Sequence, residues 1–165
     1  VPERVRRERS RLVDAMLDGH FWFGGRRAAV AAGPDLLLGL AGFLDEMGCE
    51  TAAAVAAEPS AALSRIPAAS VTVGDLDDLE RMAAGCDLLI TTSHGRQAAA
   101  RLGIPHLRIG FPVLDRLGNA DRLVVGYRGS RSLLFEIANL LIAAEEARGH
   151  PVHGDGHGEL ASAAH

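Results

Sequence analysis

Strand-like and helix-like segments alternate five times along this chain on a cycle of roughly 20 residues, with almost no hairpin turn signals between them. An apolar run followed by a helix and a second apolar run re-enters one sheet only by a crossover, which is right-handed and leaves the strands parallel. The pattern predicts an α/β, Rossmann-like fold: a parallel five-stranded sheet with helices on both faces. The strands are expected at residues 27–32, 51–57, 70–74, 87–92 and 106–110, in the order 3-2-1-4-5. A chain of 165 residues is long enough for one such domain and too short for two, so residues 1–148 are read as a single domain.

Residues 3–18 form the leading amphipathic helix, with Val5, Leu12, Val13, Met16 and Leu17 apolar and arginines and glutamates opposite. Gly19 is expected to end it, and Phe21, Trp22 and Phe23 to form an anchoring turn that plugs the helix onto the sheet. Gly33-Pro34-Asp35 turns the first strand into a helix closed by Gly48, and Asp75 reads as the N-cap of a later one. A last helix is predicted over residues 130–148. Residues 149–165 are small, polar and His-bearing, and are expected to be disordered.

A formal net charge of −4 offers no concentrated basic field, which disfavours a nucleic-acid partner. The opening residues are charged where a secretory leader would be apolar, and no apolar run approaches the ~20 residues that span a bilayer, so a cytoplasmic protein without membrane contact is expected. A start without methionine, close to a helix, reads as a fragment of a longer polypeptide. Cys49 and Cys86 each stand beside a strand start and are read as buried packing residues; their number excludes a four-cysteine zinc site and a CxxC redox pair, and leaves a disulfide between them open.

Ligands of an open parallel sheet sit at the strand C-termini, which makes Gly33, Asp35, Ser93, His94 and Gly95 the candidate crevice residues, with Gly74-Asp75 beside them. None of these loops carries a dinucleotide fingerprint or a P-loop. Ser93 and His94 are adjacent and poorly placed to act as nucleophile and base, so no catalytic residue is assigned. Asp75, Asp77 and Asp78 suit a helix cap better than a cation, and the histidines at 150, 153 and 157 lie among glycines and a proline that oppose a helix, so no metal ligand is assigned. Trp22, Arg116, Tyr127 and Arg128, with Phe21, are candidate interface residues because aromatics and arginine are enriched at protein contacts.

Three segments carry a family likeness: RSRLVDAMLDGHFWFGGRRAAVAAGPDLLLGLAGFLDEMGCE, DLLITTSHGRQAAARLGIPHLRIGFPVLDRLG and GYRGSRSLLFEIANLL. Over about residues 8–142 they resemble the C-terminal part of the nitrogenase component 1 family. Within it the likeness is greatest to the β-type subunit of the complex on which the iron–molybdenum cofactor is matured. The β subunit of the molybdenum–iron protein is the nearest alternative, set apart by a longer insertion where this chain has only residues 58–69; dark-operative protochlorophyllide reductase is a second. The resemblance implies the last of three Rossmann-like domains in a scaffold subunit, with no catalysis by its own residues. It implies an α-type partner subunit and a second β-type copy in a heterotetramer, and transient contacts with nitrogenase assembly proteins. The iron–sulfur cluster and the cofactor precursor belong to the full complex, and no ligand is carried onto Cys49 or Cys86. A free-standing module binding a small anion is the remaining alternative.

Overall fold

A computed structural model describes residues 1–149. Its elements run α1 (Glu3–Phe23), β1 (Arg27–Ala32), α2 (Pro34–Glu46), β2 (Glu50–Ala56), β3 (Val71–Val73), α3 (Leu76–Met82), β4 (Leu88–Thr91), α4 (Arg96–Leu102), β5 (His106–Arg108) and α5 (Gly126–Ala147). The sheet order is β3-β2-β1-β4-β5 and every pairing is parallel, as the repeated crossovers require. The expected sheet order is therefore the observed one, with β3, β4 and β5 shorter than the sequence pattern implied and β2 set one residue earlier.

The central strands explain themselves. β1 reads RAAVAA and β2 reads ETAAAVA, near-continuous apolar runs of small residues that are buried along almost their whole length. Strands covered on both faces need no polar alternation, and alanine lets the flanking helices approach closely. On one face Val30, Leu88, Ile90 and Leu107 pack with Leu37, Leu40 and Leu44 of α2 and with Leu134, Ile137 and Leu141 of α5. On the other, Ala29, Ala53, Val55 and Leu89 pack against Leu79 of α3 and Ala98 and Ala99 of α4.

Two helix boundaries differ from the sequence reading. α1 does not stop after residue 18 but runs through Gly19 to Phe23. Gly19 is buried there, and a Cβ on it would stand 2.6 Å from Leu134 Cδ2, so the glycine permits a close crossing of α1 and α5 instead of a terminus. Phe21, Trp22 and Phe23 are consequently the last helical turn. Phe23 is fully buried and meets Phe43 edge to face at 6.1 Å, whereas Phe21 remains 71% exposed. α5 begins at Gly126, four residues ahead of the predicted start, because Gly129 lets Val124 pack across its first turn. Of the expected disordered tail, only Gly149 lies within the described residues.

Candidate functional site

The neighbouring positions of β1 and β4 bring the loops after them into one crevice, and the adjoining end of β2 widens it. A cavity of about 400 Å³ opens there, lined by Gly33, Gly74, Asp75, Thr92, His94 and Phe111 among others. Of the five candidate crevice residues, Gly33 and His94 line it. The His94 ring is exposed, its Nδ1 3.4 Å from Thr92 Oγ1.

The other three serve the fold. Asp35 stands in the first turn of α2, where its carboxylate favours the helix dipole. Gly95 is buried so tightly that a Cβ would meet Thr91 Cγ2 at 2.3 Å. Ser93 turns toward the loop after β5: its hydroxyl accepts from Leu114 N at 2.8 Å and donates to Asp115 Oδ1. Asp75 is spent on its own helix, accepting from Asp77 N at 2.9 Å and Asp78 N at 3.0 Å, while Asp78 Oδ2 accepts from Asp75 N at 3.2 Å. This reciprocal cap, joined by Arg81, holds the Asp78 carboxyl below the usual carboxylate range, first through the Asp75 N–H and then through Arg81.

The sequence reading missed a second cluster around β5. Arg108 Nε donates to Asp115 Oδ2 at 2.9 Å, so Asp115 joins Ser93 to Arg108 and ties the loop after β5 back to the end of β4. The Ser93 hydroxyl first, and then Arg108, push the Asp115 carboxyl down to about 2. His106, also on β5, is 8% exposed and neither ring nitrogen has a hydrogen-bond partner. Burial, and next the Arg108 charge, lower its pKa. The carbonyls that β5 turns away from β4 are covered by guanidinium groups: Arg108 Nη1 donates to His106 O at 3.2 Å and Arg122 Nη1 to Arg108 O at 2.5 Å, with Arg122 also paired to Glu136. The only sequence cue was a run of arginines and an aspartate around an edge strand, with partners up to 22 residues apart.

The interface candidates fall in three places. Trp22 packs on the core near Arg26, which pairs with Asp87 at 3.4 Å and with Glu145, at the N-terminal end of the sheet. Arg116 lies beside the β5 edge. Tyr127 and Arg128 open α5 and face α1.

Cys49 and Cys86 are free, buried thiols belonging to opposite packing layers of the sheet. Burial, and then the nearby carboxylate of Asp87, push the Cys49 thiol up to about 12. Among the described residues no three His, Cys, Asp or Glu side chains converge as a metal site, and no helix is long and apolar enough to cross a membrane.

A family model described as nitrogenase component 1 type oxidoreductase matches residues 1–142. The chain is 55% identical over 148 residues to the nitrogenase iron-molybdenum cofactor biosynthesis protein NifN of Mesorhizobium japonicum, covering 89% of this chain and 32% of that protein. The proteins of the same name from Bradyrhizobium diazoefficiens and a Nostoc species are each 51% identical, over 92% and 90% of this chain and 33% of their own lengths. A solved structure, Nitrogenase Cp1 at pH 6.5, superposes with a TM-score of 0.81 at 29% identity, covering 94% of this chain and 36% of that one. The chain thus spans about a third of the length of the curated relatives it matches.

Proposed function

Because the chain belongs to the nitrogenase component 1 type oxidoreductase family, we propose that it is the last Rossmann-like domain of a NifN-type subunit and acts as a scaffold in iron–molybdenum cofactor maturation. The observation that carries this is the 55% identity to a NifN protein over 89% of the chain, against 29% to the solved nitrogenase. In this reading the subunit pairs with NifE and a second copy of itself in a heterotetramer in the cytoplasm, and assembly proteins visit it transiently. The cofactor precursor is cargo of that complex.

The residues present do not fit an iron–sulfur cluster. Cluster ligation needs convergent thiolates, and here two thiols lie in separate layers, one with its ionisation pushed up to about 12. The domain's contribution is shape: a rigid sheet closed by α1 and α5, a loop after β5 pinned by Ser93 and Asp115, and surface for neighbours. The catalytic β-subunit alternative keeps the same fold.

A domain exchange separates the two. This chain should replace the corresponding third of a NifN relative with retention of precursor loading and of cofactor transfer to apo-nitrogenase. Failure there, combined with support of substrate reduction when the chain is exchanged into a molybdenum–iron protein β subunit, would overturn the scaffold reading.

A further inference from the structure

His106 is a buried ionisable side chain that no hydrogen bond accounts for. It opens β5, is 8% exposed, and neither ring nitrogen has a partner. The ring is wedged against the turn into α4, where a Cβ on Gly95 would stand 3.3 Å from its Nε2. The carbonyls of Thr91 and Thr92 beside it already accept from Ile109 N at 3.0 Å and Gly95 N at 3.1 Å. Alternate residues of a strand share a face, so Arg108 stands on the same face as His106, with Leu89 and Thr91 of β4 as their neighbours. Arg108 disfavours a proton on the ring and Asp115 favours one. α4 gives Ala98 and Ala99 to this layer, while its arginines, Arg96 and Arg101, are exposed and Arg101 is paired with Glu80; His94 of the preceding turn is exposed as well. At the outer edge of β5, Arg116, Asp121, Arg122 and Glu136 share a cavity of about 410 Å³ with His106.

The same strand face holds the loop over residues 110–118. Ser93 ties that loop to the end of β4, its N–H donating to Pro112 O at 3.2 Å and its hydroxyl accepting from Leu114 N at 2.8 Å. Arg108 holds the loop from the other side through Asp115, at 2.9 Å. These few bonds carry the attachment, since Phe111, Leu114 and Leu117 are largely exposed. An imidazolium donates from both nitrogens, and at His106 it finds no acceptor free and a guanidinium on its own face. Local opening relieves it at least cost, because a segment with few buried contacts lifts before the sheet does.

We propose that protonation of His106 releases residues 110–118 from Ser93, so that the loop after β5 is closed over a neutral imidazole and opens in acid. Phe111 and Pro112 form part of the crevice that Gly33 and His94 line, and release therefore reshapes it. The sign follows from burial: the closed loop disfavours the proton and the open loop leaves a solvated ring, so falling pH favours the open form. The device is built within the domain and does not depend on the scaffold reading.

The test follows hydrogen–deuterium exchange of residues 110–118 in the full-length subunit between pH 7.5 and 5.5, corrected for the intrinsic pH dependence of amide exchange. Protection of this segment should fall severalfold, to a limit of about tenfold set by an open-state imidazole that titrates near the ordinary value of about 6.5, while β1 and β2 keep theirs. In His106→Gln, and in His106→Asn as a second neutral replacement, protection of the loop should be equal at the two pH values. Loop protection indifferent to pH in the unsubstituted subunit, a loss shared equally by β1 and β2, or a fall that persists in a folded neutral variant would each overturn the proposal.

Discussion

Leu134 Cδ2 lies 2.6 Å from where a Cβ on Gly19 would stand, so the crossing of α1 and α5 is set by one missing methyl group. Leu134 is fully buried in the same core cluster as Ile137 and Leu141. Gly19→Val should therefore destabilise the domain by about 2 kcal/mol despite valine's better helix propensity, because overpacking of a closed core costs about 1–3 kcal/mol. Adding Leu134→Ala should recover part of that loss. Strictly additive urea-unfolding energies for the pair would remove the close contact as the reason α1 continues past residue 18.

Asp115 gives the loop after β5 an acid limit. Its folded pKa, about 2, lies below the ordinary 3.8, so the stability it supplies is complete above pH 4 and is lost as pH falls from about 4 through 2. Ser93→Ala removes the largest cause of the depression. In that variant the Asp115 carboxyl titration, followed by NMR, should move upward toward 3.8 while the Arg108 pairing persists. An unmoved titration would show that Ser93 does not hold the loop through this carboxylate.

His106 acts in the same direction at higher pH. Its folded pKa is lowered by burial, so the unfolded chain takes up the proton first and stability declines as pH falls below the ordinary histidine value of about 6.5. His106→Leu should flatten the pH dependence of the melting temperature between about pH 7 and 5. A slope unchanged by the substitution would place the titrating group elsewhere.

Arg122 guards the free edge of the sheet. A three-residue edge strand whose outward carbonyls both receive guanidinium donors is closed to strand addition. Arg122→Ala should promote self-association, measured by light scattering, whereas Glu136→Gln, which keeps the bond to the Arg108 carbonyl, should not. Equal behaviour of the two variants would assign any effect to the lost ion pair.

The topology was legible because its causes are local or periodic. Alanine-rich runs such as RAAVAA, stops such as Gly48, and the Asp75 cap each act within a few residues, and the crossover rule converts them into a parallel order. Gly19 and Gly129 misled the boundary reading because what they accommodate, Leu134 in one case and Val124 in the other, is tertiary packing. Of the expected crevice residues, Gly33 and His94 line the cavity at the strand ends, because both follow directly from where β1 and β4 stop. Ser93 was not legible as a loop anchor, since its partner lies 22 residues away and no pattern marks Asp115 as an acceptor.

The scaffold account is tested most directly by counting iron and measuring cofactor transfer in the assembled complex when this domain carries Cys49→Ala and Cys86→Ala together. Cys49 and Cys86 are free, buried thiols in separate packing layers, two where a cluster needs several thiolates, and the scaffold reading takes them as packing residues. The account predicts unchanged iron content, unchanged visible absorbance and full transfer to apo-nitrogenase. Loss of a stoichiometric share of iron and its chromophore from a complex that still assembles would show that the domain holds a cluster itself, and would contradict the account.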